Sequence, residues 1–332
     1  MKKAPVGFLL FMIALTSCAP ITPIKAAQTL APLQTATEPV QMWEVVRSPV
    51  TQFHDMAILP NNEIWAVGTP NLIVHSYLSD EFVNDFRYSG IYSPADSDAL
   101  NAVDFSASND GWVSSNGGKI FHWDGSKWIQ VLDTNFLISD MEFSDKNNGW
   151  AVGSGDSNEA ILLHWNGREW QNVSLQDTIG RDNFYLWSIS AVSSTNVWAV
   201  GVDNNGKGIA LNWDGSKWQE IPYQGDEIKV VSGISQTDVW GVGGKEGNVI
   251  LHWDGEKWTE TVLSASDLIN FSILAISKDN VWAGGHDLVH WNGSEWVDTL
   301  YNASRGLIYD VEATPDGEVW ALTGEGYILH LK

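Results

Sequence analysis

The chain reads as an all-β protein, a seven-bladed β-propeller of four-stranded blades. Three observations predict it: a unit returning about every forty residues, a period-two apolar pattern inside it, and complementary half-units at the two ends. The clearest copy, Asn196 to Trp218, reads NVWAVGVDNNGKGIALNWDGSKW, and the same order returns in Thr237–Trp258, Asn148–Trp170 and Asn280–Trp296. The tryptophan of the first apolar run marks each copy, at Trp65, Trp112, Trp150, Trp198, Trp240, Trp282 and Trp320. Seven markers predict seven blades.

Each blade divides into four strands. Nine residues before the markers stand Met56, Val103, Met141, Ile189, Val231, Ile273 and Val311, and two positions further on Ile58, Phe105, Phe143, Ala191, Gly233, Ala275 and Ala313. That alternation predicts a first strand with one buried face. The second strand holds the marker, and the third is the Ile-Leu-His-Trp run, as in Ile250–Trp253. Asp124-Gly125, Asn166-Gly167, Asp214-Gly215, Asp254-Gly255 and Asn292-Gly293 then predict type I′ hairpins, because both central positions of that turn need positive φ. Trp128, Trp170, Trp218, Trp258 and Trp296 open the fourth strands. Blade 1 departs from the pattern: Ile73-Val74-His75 fits a third strand, yet no Asp-Gly turn follows.

The ends complete the ring. Ile328–Lys332 is a third strand with no fourth after it, and Met42–Val46 is a fourth strand with no third before it. Pairing the two builds the seventh blade from both termini and removes the edges an open array would expose. The propeller domain is therefore expected over 42–332.

Upstream, Lys2 and Lys3 precede an apolar run, Val6 to Leu15, too short to span a bilayer, so 1–17 reads as an export signal. It ends in Leu15-Thr16-Ser17-Cys18, which resembles the lipobox of bacterial lipoproteins. The resemblance implies lipidation of Cys18, the only cysteine of the chain, and attachment to a membrane outside the cytoplasm. By the sorting rule of that class, Ala19 favours the outer membrane where a cell has two. Residues 18–41 carry Pro20, Pro23, Pro32 and Pro39 among Ala, Thr and Gln without apolar period, and are expected to form a tether reaching roughly 25–30 Å.

The formal charge of −23 becomes two units more negative once Lys2 and Lys3 leave with the signal. Such a surface repels phosphate backbones, so a nucleic-acid partner is not expected. A monomer without cofactor is expected.

Of the nineteen tryptophans, all but Trp43 and Trp187 fall at three recurring blade positions, and closure assigns Trp43 to a fourth strand. They predict packing between blades. His75, His122, His164, His252, His290 and His330 recur one per blade, which spreads them around the ring and argues against a metal centre; Asn212 takes the place in blade 4. Asp203–Gly208 is excluded as a calcium loop because Lys207 stands where an acceptor is needed.

The unit from Gly149-Trp150-Ala151-Val152-Gly153 to Asn166-Gly167-Arg168-Glu169-Trp170 resembles the repeats of photosystem II stability and assembly factor-like propellers. It is also similar to bacterial neuraminidase repeats. It departs from the Ser-x-Asp-x-Gly-x-x-Trp box of the latter, since Asp214 and Gly215 are adjacent. The resemblance implies a propeller over 42–332 but no single activity.

In such rings the loops entering first strands and those between second and third strands share one face, the usual binding face. Arg47, Arg87, Arg181 and Arg305 are placed in loops entering first strands. A neuraminidase-like exo-glycosidase would need three guanidinium groups converging on a substrate carboxylate, with a Tyr-Glu nucleophile pair and an Asp acid. Asp55, Asp104, Asp140, Glu142, Asp310 and Glu312 gather on first strands of blades 7, 1, 2 and 3, where they would line the channel, hold a cation or titrate at raised pKa. The longest loop expected, Ser79–Ala99, carries Phe82, Phe86, Tyr88 and Tyr92, a suitable surface for a partner. The sequence thus favours a lipid-anchored, non-catalytic scaffold for a protein or glycan, with the exo-glycosidase as the alternative.

Overall fold

The computed structural model describes residues 34–35, 43–47, 52–61, 63–69, 72–77, 87–88, 98–157, 159–263, 270–299 and 306–331. Cys18, Phe86 and Arg305 lie outside them. The described strands form seven sheets in a ring, each a meander of antiparallel strands ordered from the channel outward. The first strands, at the channel, are Phe53–Ile58, Leu100–Ala107, Leu137–Asp145, Phe184–Ser193, Ile228–Ser235, Asn270–Ser277 and Ile308–Ala313.

Both termini build blade 7, as expected from the half-units. Trp43–Arg47 pairs antiparallel with Tyr327–Leu331, placing Val45 opposite Leu329. The ring then closes onto blade 1, where the Met56 N–H donates to Asp310 Oδ2 at 3.1 Å and the Gln52 N–H to the Gly324 carbonyl at 2.8 Å. A buried cluster of Trp320, Leu322 and Ile328 with Phe53, Met56, Ile64 and Val74 spans the same seam. Within the stretch read as a tether, Gln34–Thr35 lies parallel to Val297–Asp298 and adds a short fifth strand to blade 6.

The recurring tryptophans are the mortar between blades. In blades 1 to 5 the marker is buried against the third-strand and fourth-strand tryptophans of the next blade. Trp112 meets Trp165 at 4.7 Å and Trp170 at 5.6 Å, and Trp150 meets Trp213 at 5.4 Å and Trp218 at 5.1 Å. Burying one indole removes about 150–250 Å² from water, roughly 4–6 kcal/mol as a ceiling. The histidines serve the same scaffold. His164 stacks on Trp150 at 4.2 Å and hydrogen-bonds Asn148 Oδ1 through Nε2 at 2.9 Å; in blade 4, Asn212 Nδ2 donates to Asn196 Oδ1 at 3.2 Å.

Two local expectations need correction. The Asp-Gly hairpins are four-residue loops closed by a Trp–Trp pair, such as Trp123 opposite Trp128. Gly125 has φ 89°, while Asp124 is absent from the left-handed region. Its Oδ1 instead accepts the Ser126 and Lys127 N–H groups at 2.9 and 3.0 Å, so the aspartate earns its place by capping the loop and not by tolerating positive φ. In blade 1 the missing turn signal does not mean a missing strand. The chain leaves Leu72–Tyr77 and returns at Arg87–Tyr88, with Arg87 opposite His75, to supply the fourth strand from within the stretch read as one loop.

Candidate functional site

All seven first strands carry the same irregularity. Pairing with the second strand slips by one residue between Phe53 and Asp55, Leu100 and Ala102, Ile138 and Asp140, and Leu186 and Ser188. The remaining slips fall between Ile228 and Val230, Asn270 and Ser272, and Ile308 and Asp310. A β-bulge leaves its extra residue unpaired and re-aims the side chain. The extra residues are His54, Asn101, Ser139, Trp187, Lys229 and Tyr309, with Phe271 at the blade 6 place, and those six all line one central cavity of about 780 Å³. They stand where the chain enters each first strand, so they ring the channel mouth on the face of the loops entering first strands. His54 is held there by Nδ1 on the Leu100 carbonyl at 2.8 Å. Gln52, with φ 80° the one non-glycine residue of positive φ among the described residues, borders an adjoining cavity of about 420 Å³ with His54 and Tyr309.

This ring was missed in the sequence, yet it left a signal. In strict alternation buried positions fall two apart, whereas Phe53 and Met56, Leu100 and Val103, Ile138 and Met141, and Ile308 and Val311 are buried three apart. The interval marks an inserted residue.

Below the ring lie the carboxylates. Asp55 Oδ2 accepts the Val103 N–H at 2.6 Å, Asp104 Oδ2 the Phe143 N–H at 2.6 Å, and Asp140 Oδ2 the Ile189 N–H at 2.9 Å. With Asp310 and Met56 they clasp blades 7, 1, 2 and 3 each to the blade that follows. The clasp satisfies backbone donors on the channel edge of each sheet, where no further strand can pair. In blades 4 and 5 hydroxyls do the same work: Ser188 Oγ accepts the Val231 N–H at 3.3 Å, Ser190 Oγ the Gly233 N–H at 3.1 Å and Ser232 Oγ the Ala275 N–H at 3.0 Å.

Each carboxylate keeps a strip of surface toward the lumen and is otherwise enclosed by adjoining blades. Burial is the main cause that lifts their pKa values. Asp104 and Asp310 are pushed up to about 6 and Glu142 to about 8, the last with Asp104 adding repulsion. Asp140 is raised, and Asp55 and Glu312 stand well above their ordinary values, Asp310 contributing to both. Asp55 and Asp310 stand close enough for each to act on the ionisation of the other. The acidic residues singled out from sequence are thus brought together around one lumen.

The arginines are not. Arg47 closes the outermost strand of blade 7, opposite Tyr327, and Arg87 lies in the outermost strand of blade 1. Neither is in a loop entering a first strand. Arg181 follows a short helix, Leu175–Ile179, capped by Ser174 and ended by Gly180 at φ 82°, and its guanidinium forms a two-bond pair with Glu220 beside the Phe184 ring. A carboxylate-gripping trio is absent among the described residues. Tyr88 shares the outer strand with Arg87, facing Val74 in the register.

No protein-family model matches the chain, and no curated protein sequence does. Solved structures match its fold. YCF48 bound to D1 peptide has a TM-score of 0.70 at 16% identity, over 90% of this chain and 99% of that one. YCF48 from Cyanidioschyzon merolae gives 0.64 at 15%, over 87% and 98%. A streptogramin B lyase gives 0.72 at 13%, over 89% and 99%. At such identities the likeness extends to the architecture: this chain is a seven-bladed β-propeller, similar in fold both to a peptide-bound protein and to a lyase.

Proposed function

We propose that the protein is a non-catalytic propeller, anchored outside the cytoplasm through lipidated Cys18, that engages a protein partner across the face on which the channel mouth opens. The bulge ring carries the reading. Six blades are seen to spend a ladder position to turn a side chain into the lumen, and the residues so placed differ in kind: an indole, a phenol, an imidazole, an ammonium, an amide and a hydroxyl. Repeated packing needs uniform residues, whereas recognition needs dissimilar ones. The basic and apolar segments before Cys18 support the anchor.

Site-specific photo-crosslinking in intact cells tests it. A photoreactive residue at Ser139, on the mouth, is expected to trap a protein neighbour that the same residue at Asp133, on the outer strand of blade 2, does not trap. Identical neighbours from both positions would remove the mouth from the proposal. Separately, Cys18→Ser is expected to move the protein from the membrane to the soluble fraction; retention on the membrane would count against the anchor.

A further inference from the structure

The clasp between blades supplies an internal control. Blades 4 and 5 hold their neighbours with serine hydroxyls, so the fold does not require an acid at that place. Blades 7, 1, 2 and 3 nevertheless carry Asp310, Glu312, Asp55, Asp104, Asp140 and Glu142, at the cost of crowding enclosed carboxylates. Their packing leaves something unmet, too. Ser272, in the same layer, lines the cavity and is 3% exposed, and its Oγ has no hydrogen-bond partner among the described residues. Buried polar groups without partners are rare in folded proteins, and at a cavity wall they mark where a ligand group completes the set.

We infer that the channel takes an organic cation, the ammonium or guanidinium of a lysine or arginine side chain presented by the partner, passing Trp187 and Tyr309 to reach the acidic wall. The inference rests on the protein-partner reading for its source but not for its chemistry. Among the described residues no three His, Cys, Asp or Glu side chains are grouped to hold a metal ion. Oxygens of Asp55, Asp104, Asp140 and Asp310 are committed to backbone N–H groups, which leaves a spread of charge suited to an organic cation carried on a side chain and not to a closely coordinated metal ion. The aromatic bulge residues at the rim suit the apolar stem and the passing charge. Acid is confined to one arc of the ring, and blades 4 and 5 present Ser188, Ser190 and Ser232, so a side chain would be drawn to blades 7, 1, 2 and 3, beside which Ser272 of blade 6 stands.

Protons must leave when the cation arrives. With Glu142 lifted to about 8, its ionised fraction rises about fiftyfold between pH 6 and pH 8, and affinity is expected to rise at least tenfold over the same range. The other charged or titratable groups at the lumen are His54, Tyr309 and Lys229, the last 3.4 Å from Glu227. The Glu142→Gln variant isolates the contribution of that carboxyl from theirs.

The test is calorimetric titration of the purified full-length protein with the blocked pentapeptide Gly-Gly-Lys-Gly-Gly, its arginine counterpart, and a norleucine counterpart of the same shape without charge. Expected is one-to-one binding of the lysine or arginine peptide with a dissociation constant below about 1 mM, proton release, and no binding of the norleucine peptide. The variant Asp55→Ser/Asp140→Ser/Asp310→Ser copies the serine clasp and is expected to melt no lower than the parent while losing the peptide at least tenfold. Glu142→Gln is expected to flatten the pH dependence. No binding, equal binding of the norleucine peptide, or undiminished binding by the serine variant would overturn the cation site. Should the peptide bind while crosslinking finds no protein neighbour, the cation site stands and the partner reading falls; the converse result does the opposite.

Discussion

Replacing Glu142 with glutamine isolates the cost of the acidic lumen. Glutamine keeps the shape of the Glu142 side chain and removes its charge. The pKa of Glu142 rises from the ordinary value of 4.5 to about 8 because enclosure, and then Asp104, disfavour the anion. A carboxyl that binds its proton more tightly when folded stabilises the fold fully below pH 4.5, and that contribution disappears as the pH climbs through about 8. At about 1.4 kcal/mol per pH unit the shift has a ceiling of about 5 kcal/mol. Contact with lumen water screens the anion, and about 2 kcal/mol is the expected realised loss. For a domain of this size that is a fall in Tm of about 3 °C between pH 5 and pH 9. Scanning calorimetry across that range should show parent and Glu142→Gln melting within about 1 °C of each other at pH 5, with the variant about 3 °C higher at pH 9. A parent that gains stability with rising pH, or a variant that keeps the parental slope, would refute the desolvation argument.

Other consequences are more local. Trp150→Ala should cost about 3–5 kcal/mol by urea titration, since the ring is 1% exposed and touches two tryptophans of the next blade. His164→Asn should cost under about 1 kcal/mol in the same assay, because Asn212 already fills that place in blade 4. A chain beginning at residue 48 loses the strand opposite Tyr327–Leu331 and should show a broadened, non-cooperative melt by circular dichroism. Arg181→Ala should change stability by less than about 1 kcal/mol, its partner Glu220 being as exposed as itself, and should leave peptide titrations unaltered.

How much of this was legible before the coordinates differs from element to element. Blade number was open to reading because a buried marker tryptophan holds the same place in every blade, which forces repetition. Ring closure was open too, through the complementary half-units. The arginines misled because a turn signal says where a hairpin tightens, and its absence in blade 1 does not say where the chain returns; Arg87 therefore passed for a loop residue. The raised pKa values could not be read at all. The clasp between Met56 and Asp310 joins residues 254 apart, and the enclosure that disfavours their charge is made by neighbours equally remote in sequence. The bulges sit between these cases, written as an interval of three in an alternation of two.

A ring of near-identical blades separates structure from function more cleanly than most folds can. Whatever every blade shares, such as the tryptophan seam and the histidine or asparagine against it, is explained by the need to hold a neighbour. What differs at equivalent places is not explained by that need, since another blade meets it with another residue. Trp187, Lys229 and Tyr309 at the bulge, and aspartate against serine at the clasp, differ in this sense. Stability alone would favour the serine, which satisfies the same N–H without enclosing a charge. The acidic arc therefore records a demand from outside the fold, and its sign and depth specify a positive group able to reach down a narrow lumen.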